Sequence, residues 1–173
     1  MKMINLGELR KFLVKAKKDT YAGDGEEVTP QRPGFRELEF EEGDWNYRDS
    51  YVGFFMAPGQ EVVRYQGEPV WTMAYSGGMK PVLRDNFDFS KETFEFLKRA
   101  LLHIPENAPY RGPLGEWSDR KGWLYENDIV DVNDITDFRG FESIWFTPDG
   151  ESPEIGQEAV FHQTYMGGLV LPK

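Results

Sequence analysis

Apolar residues recur at helical spacing near the start of the chain and at alternate positions through most of its remaining length. Leu6, Leu9, Phe12, Leu13 and Ala16 share one face of a helix that the pattern carries to about Lys18. Asn5-Leu6-Gly7-Glu8 precedes it as a capping box, with Ile4 and Leu9 at hydrophobic-staple positions. Residues 36–42 alternate, Leu38 and Phe40 to one face and Glu37, Glu39 and Glu41 to the other, which predicts a half-buried strand. Trp45, Tyr47 and Tyr51 line one face of the next strand. Residues 60–65 and 69–75 make a third and a fourth, joined by a tight turn at Gln66-Gly67-Glu68, and the fourth runs out into a double-glycine turn at Gly77-Gly78. A second helix is expected from Ser90 as N-cap, with Phe89 and Phe94 as the staple and Phe94, Leu97, Leu101 and Ile104 as the buried stripe. Strands are expected after it at about 122–126, 129–132, 138–146 and 158–165.

The same order of features occurs twice. Each half has an amphipathic helix, then Tyr-x-Gly (Tyr21 to Gly23, Tyr110 to Gly112), then Trp-x-Tyr (Trp45 to Tyr47, Trp123 to Tyr125). Each continues with an aromatic-x-Gly-Phe (Tyr51 to Phe54, Phe138 to Phe141) and Glu-x-(Val or Ile)-x-aromatic (Glu61 to Tyr65, Glu142 to Phe146). Each closes on Val-aromatic…Tyr-x-Gly-Gly, at 70–78 and 160–168. The predicted fold is therefore α+β: one domain over 1–173 built of two tandem α-β-β-β-β repeats, about 4–80 and 89–170, forming antiparallel sheet or sheets with one helix packed on each half. The two sheets are expected to join edge to edge or to wrap into a barrel. Residues alike in both halves, such as Trp71/Phe161 and Tyr75/Tyr165, read as scaffold. Those that differ, such as Thr72/His162 and Met73/Gln163, are where asymmetry can serve function.

Composition narrows the function classes. The 173 residues carry a formal charge of −10, so this chain alone is a poor nucleic-acid binder and is repelled by anionic membranes. With no cysteine, disulfides, thiolate catalysis and thiolate metal sites are excluded. The start of the chain shows no apolar signal region, and no run approaches the ~20 apolar residues of a spanning helix. A cytoplasmic protein is the plain expectation. Arg10, Lys11, Lys15, Lys17 and Lys18 give the first helix a basic outer surface.

Candidate chemistry is sparse. His103 and His162 have no partner at ligand spacing, so no metal and no cofactor is expected. Asp128, Asp131, Asp134 and Asp137 recur every three residues, which is a solvated acidic hairpin around Asn133-Asp134 and not a calcium loop. Neither glycine doublet forms a phosphate-binding loop, and there is no Gly-x-Ser-x-Gly elbow. There remains a set of aromatic and basic side chains beside the strands: Tyr21, Arg32, Trp45, Trp71, Tyr110, Arg111 and His162. Aromatic walls with a few polar groups are what small-molecule pockets use; the same residues can equally plug the core and pin the loops.

Four phrases carry a family resemblance: residues 12–23 (FLVKAKKDTYAG), Arg32-Pro33-Gly34, residues 69–77 (PVWTMAYSG) and residues 109–113 (PYRGP). Together they resemble a family of bacterial and archaeal proteins known as a domain of unknown function, over roughly Leu9 to Gly168. Some members carry the domain behind a DNA-binding helix-turn-helix, which would imply a sensor or effector role; the stretch before Leu9 is too short to hold that module. The resemblance supplies no catalytic residues. The leading expectation is a non-enzymatic module that binds a small molecule or a protein partner. The alternatives are a hydrolase using carboxylates or His162 and a self-associating structural protein, for instance a homodimer.

Overall fold

Asn5 begins the first helix as its sequence requires. Its side-chain oxygen accepts from the amides of Gly7 at 3.0 Å and Glu8 at 3.3 Å, two groups that the helix itself leaves unpaired. Helix α1 (Leu6–Asp19) then buries Leu9, Phe12, Leu13, Ala16 and also Lys17, so Lys17 does not belong to the basic outer surface. Helix α2 (Phe87–Leu101) starts one turn earlier than expected. Asn86 takes the cap by accepting from the Phe89 amide at 3.1 Å, and the Ser90 hydroxyl donates to the Asn86 carbonyl inside the first turn. An Asx side chain four residues upstream thus outcompetes the serine.

The computed structural model describes residues 4–119, 121–130, 134–148 and 157–171. Its strands are β1 (Glu27–Val28), β2 (Arg36–Glu42), β3 (Trp45–Tyr51), β4 (Gly59–Tyr65), β5 (Glu68–Met79), β6 (Gly115–Ser118), β7 (Trp123–Ile129), β8 (Asp137–Phe146) and β9 (Phe161–Leu169). With the two helices they make an α+β fold with one nine-stranded sheet, antiparallel at every pairing, in the order β1-β2-β3-β4-β5-β9-β8-β7-β6. The two strand sets join edge to edge through β5 and β9, where Tyr75 faces Tyr165, and the sheet stays open. The β4–β5 hairpin turns on Gln66 and Gly67 at φ of 52° and 85°, the left-handed pair that suits a two-residue connection.

Several sequence expectations shift. Gly77-Gly78 is no turn: β5 runs through both glycines, which pair with Gln163 and His162 on β9, and Gly167-Gly168 pair in the same way with Met73 and Thr72. The strands expected at 122–126 and 129–132 are replaced by one, β7, and the missing fourth strand of that half is β6, whose Gly115-Glu116-Trp117-Ser118 is too short to show a period. Asp131, Val132 and Asn133 lie outside the described residues. The Tyr51-x-Gly-Phe phrase leaves β3 for a loop, whereas Phe138-x-Gly-Phe sits inside β8. Gly59 on β4 and Gly140 on β8 each stand opposite a tyrosine. Gly59 faces Tyr75 and Gly140 faces Tyr165; a Cβ on either would run into the tyrosine ring and hydroxyl, so both positions need glycine for the rings to lie flat on the sheet.

Strand alternation puts both helices on one face of this sheet. Trp71, Met73, Tyr75 and Met79 of β5 and Phe161, Gln163 and Tyr165 of β9 are buried, while Ala74, Ser76, His162, Thr164 and Met166 face outward. α1 packs Leu9 and Leu13 against Leu38, Tyr47 and Val63, and α2 packs Phe96, Leu97 and Ala100 against Trp123, Tyr125 and Ile144. Each such leucine, fully removed from water, stabilises the fold by about 1.5–3 kcal/mol. Among the described residues no helix is long and apolar enough to cross a membrane.

Candidate functional site

The covered face of the sheet also buries charge. Asp49 on β3 stands directly opposite Glu61 on β4, and Asn127 on β7 directly opposite Glu142 on β8. All four are under 4% exposed. Charges held this far from water need partners. Lys17, one turn from the end of α1, donates to Glu61 and, at 2.8 Å, to the Tyr110 carbonyl. Arg111 reaches in from the loop after α2. Its Nε and Nη2 both bind Glu142 Oε1, at 2.9 and 2.8 Å, and its Nη1 lies 3.9 Å from Glu61. Tyr125 and Gln163 complete Glu142 with hydrogen bonds of 2.7 and 2.9 Å. The tyrosines facing each other across the β5–β9 seam end on different acceptors: Tyr75 donates to Asp49 and Tyr165 to Asn127, both at 2.7 Å.

This surrounding sets the acid–base character of the cluster. Burial, and then the Glu61 charge beside it, push the Asp49 carboxyl up to about 7. Burial pulls Lys17 down, against the attraction of Glu61. Burial opposes the Arg111 charge as well but is outweighed by Glu142 and Glu61, which hold that guanidinium well above its ordinary value. A carboxyl raised from about 3.9 in the unfolded chain favours the fold only while protonated. Its contribution is complete below about pH 4 and is lost as pH rises through about 7. Asp49→Asn removes that dependence. In urea denaturation the stability of the parent relative to this variant is expected to fall between pH 5 and pH 8; a constant difference would exclude a raised Asp49.

A cleft of about 410 Å³ opens between α2, β2, β3 and the turn after α1. Its walls are aromatic (Tyr21, Tyr51, Phe54, Phe87 and Phe94), with Arg36, Lys91 and Lys98 among its charged residues. Phe54 stacks on Phe87 at 4.9 Å, and Phe87 is 57% exposed at the mouth. Arg36 is paired with Glu27 and Lys98 with Asp24, whereas Lys91 has no ion pair among the described residues. Tyr21, Tyr51, Ala57 and Phe94 also border a void of about 40 Å³ that reaches Asp49, Tyr75, Arg111 and Gln163. A second void of about 20 Å³ shares Tyr21, Asp49 and Arg111 and adds Tyr47, Lys17 and Glu61. The outer cleft therefore leads, past Tyr21, toward the charge cluster.

The residues singled out in the sequence fall into three places. Tyr21 and Arg111 border the voids; Tyr110 lines the smaller one, is fully buried and stacks on Phe138 at 3.9 Å. Trp71 is core and donates to the Ile135 carbonyl at 3.1 Å; Trp45 is half-buried at the core's edge, packs between Phe12 and Tyr65, and borders a separate groove of about 470 Å³. Arg32 and His162 lie away from the cleft. Arg32 donates to Gln60 at 2.7 Å from the 29–34 segment, and that segment is tied to the outward Glu37 by the Gln31 and Arg32 amides. His162 points outward, its Nδ1 3.0 Å from the Ser143 hydroxyl, with burial and Lys80 lowering its pKa. That is the spacing of a nucleophile and its base, yet neither residue borders the cleft or the voids. His103 packs on Trp117 at 4.9 Å. No group of acidic or histidine side chains suited to a metal occurs among the described residues.

Sequence reasoning missed Lys17, Asp49, Glu61 and Glu142. The signal was present for three of them. Asp49 shares its strand face with Tyr47 and Tyr51, and Glu61 and Glu142 share theirs with Val63 and Ile144.

A search of curated proteins finds no match, and neither does a search of solved structures. A scan against protein families does: residues 49–170 match the model described as a domain of unknown function (DUF5680).

Proposed function

The chain belongs to the DUF5680 family of unknown function, and we propose that it is a non-enzymatic binding module whose small-molecule ligand sits in the cleft between α2, β2 and β3. One observation carries the reading: an aromatic-walled cleft of about 410 Å³ that continues inward to a small set of buried polar groups. Apolar walls give such a ligand affinity, and the few polar groups select it. Glu61 and Glu142 are held by Lys17, Arg111, Tyr125 and Gln163, which suits fixed recognition better than proton transfer.

Internal duplication supports this reading. Taking α1 with β2–β5 and α2 with β6–β9 as two copies, Tyr47/Tyr125, Gly59/Gly140, Glu61/Glu142 and Tyr75/Tyr165 correspond and are scaffold. Three departures from symmetry fall in the cluster: Asp49 for Asn127, Met73 for Gln163, and Lys17 for Leu101 on the matching helix face. Divergence gathered beside the voids is what a ligand site acquired after duplication would leave.

A thermal-shift screen of compounds with a single aromatic ring tests the proposal. At a hundred times its Kd a ligand stabilises by about 2.7 kcal/mol, and each kcal/mol is worth roughly 2–4 °C in a chain of this size. A hit is expected to lose most of its effect on Phe87→Ser, an exposed change at the mouth of the cleft. Hits that shift Phe87→Ser and Phe54→Ser as strongly as the parent place the ligand elsewhere and defeat the reading.

A further inference from the structure

The cluster does not balance its own charge. Lys17 and Arg111 stand against Asp49, Glu61 and Glu142, all buried. The two cations are engaged by the two glutamates, directly and through the 3.9 Å approach of Arg111 to Glu61. Asp49 is left with a neutral partner, the Tyr75 hydroxyl on one oxygen; its second oxygen has no hydrogen-bond partner among the described residues. The hydroxyls of Tyr47 and Tyr21 have none either, although Tyr47 is 1% exposed. These three side chains border the same small void, together with Lys17 and Arg111. One carboxylate oxygen and two tyrosine hydroxyls therefore converge there without a hydrogen-bond partner among the described residues.

Resting on the cleft reading above, the geometry points to an inner subsite, bounded by Tyr21, Tyr47 and Asp49, that takes the protonated primary amine of the ligand. A primary ammonium carries three donors and one charge, which matches two tyrosine hydroxyls and one unpaired carboxylate. It fits the space: the voids of about 20 and 40 Å³ are of the order of one to a few water-sized groups. A carboxylate or phosphate ligand would meet a cluster with three buried carboxylates and two cations, Lys17 and Arg111, that the glutamates already engage. The aromatic body of the ligand lies outside Tyr21, against Phe54, Phe87 and Phe94. The subsite thus names the ligand as a small aromatic or apolar primary amine.

The groups around Asp49 give the amine a pH signature. Glu61 faces it from β4, Lys17 from α1, Arg111 from the loop after α2, Tyr75 from β5 and Tyr47 from its own strand. With its carboxyl at about 7 in the empty site, Asp49 has to ionise to receive an ammonium. Amine affinity therefore rises by about tenfold from pH 6 to pH 8, while a neutral analogue is insensitive to pH.

The test titrates the protein with benzylamine, benzyl alcohol and benzoate at pH 6 and pH 8 and follows backbone amide shifts. Benzylamine is expected to bind at least tenfold more tightly than benzyl alcohol at pH 8 and to lose that preference in Asp49→Asn. Should Asp49→Asn fail to fold, the pH dependence of benzylamine affinity in the parent protein decides alone. If benzyl alcohol or benzoate perturbs the cleft amides and benzylamine binds no better, the amine inference falls and the cleft reading stands. If none of the three perturbs the amides of Phe54, Phe87 and Phe94, both fall.

Discussion

Replacing Arg111 by methionine is expected to cost about 3–5 kcal/mol of folding stability, the usual penalty of leaving a buried charge without its partner. Arg111 is 7% exposed and meets Glu142 through two nitrogens and Glu61 through a third. Without it, Glu142 keeps only the neutral donors Tyr125 and Gln163, and Glu61 keeps only Lys17. Methionine fills much of the volume, so the loss reports charge and not a cavity. Adding Glu142→Gln is expected to recover part of it. Urea denaturation of the two single variants and the double variant gives the coupling directly. A cost below about 1 kcal/mol for Arg111→Met would mean that the cluster is hydrated and screened, as surface pairs are.

Trp71→Ala is the second large effect, again about 3–5 kcal/mol, from a cavity in place of a fully buried ring. Trp71 belongs to β5, yet it also reaches into the other half of the chain. It stacks on Phe138 at 5.8 Å and donates to the Ile135 carbonyl at 3.1 Å, with the Lys17 ammonium 5.8 Å from its ring centre. The truncation therefore loosens the seam between the strand sets as well as the packing under α1. Trp71→Phe keeps most of the ring but not the N–H, and is expected to lose distinctly less. Equal losses for the two would make the hydrogen bond, and not the packing, the main contribution.

Much of the fold was legible because strands with one covered face alternate. The period-two runs at 36–42 and 138–146 and the Trp-x-Tyr starts located β2, β3, β7 and β8 to within a few residues. Composition could not reveal that the strands continue through glycine pairs. Glycine usually ends a strand, but here it permits a close approach: a Cβ on Gly77 would strike the β9 backbone at His162 and Gln163, and one on Gly167 the β5 backbone at Thr72 and Met73. β1 and β6, with two and four residues, are too short for any period and are defined only by their neighbours.

The site was less legible than the fold. Tyr21 and Arg111 border the voids, whereas Arg32 and His162 belong to the opposite side of the sheet. Loop position does not tell which face Arg32 crosses, and His162 sits at an outward position of β9. Buried acids were overlooked because carboxylates are so common in this chain, with 30 Asp and Glu, that each one looked solvated. Strand parity marks Asp49, which follows Tyr47, and Glu61, which precedes Val63, on the covered face; Glu37 alternates with the inward Leu38 and is buried on the other face by Arg48 and the 29–34 segment. Lys17 reads as one of several lysines on a helix, although it lies four residues after the buried Leu13.

The most direct test of the cleft as a ligand site is a crystallographic soak with single-ring fragments, amines included. Electron density for a fragment is expected against Phe54, Phe87 and Phe94, with an amine reaching past Tyr21 to Asp49. Fragments that bind repeatedly on the outward face near His162 and Ser143, leaving this cleft empty, would contradict the account.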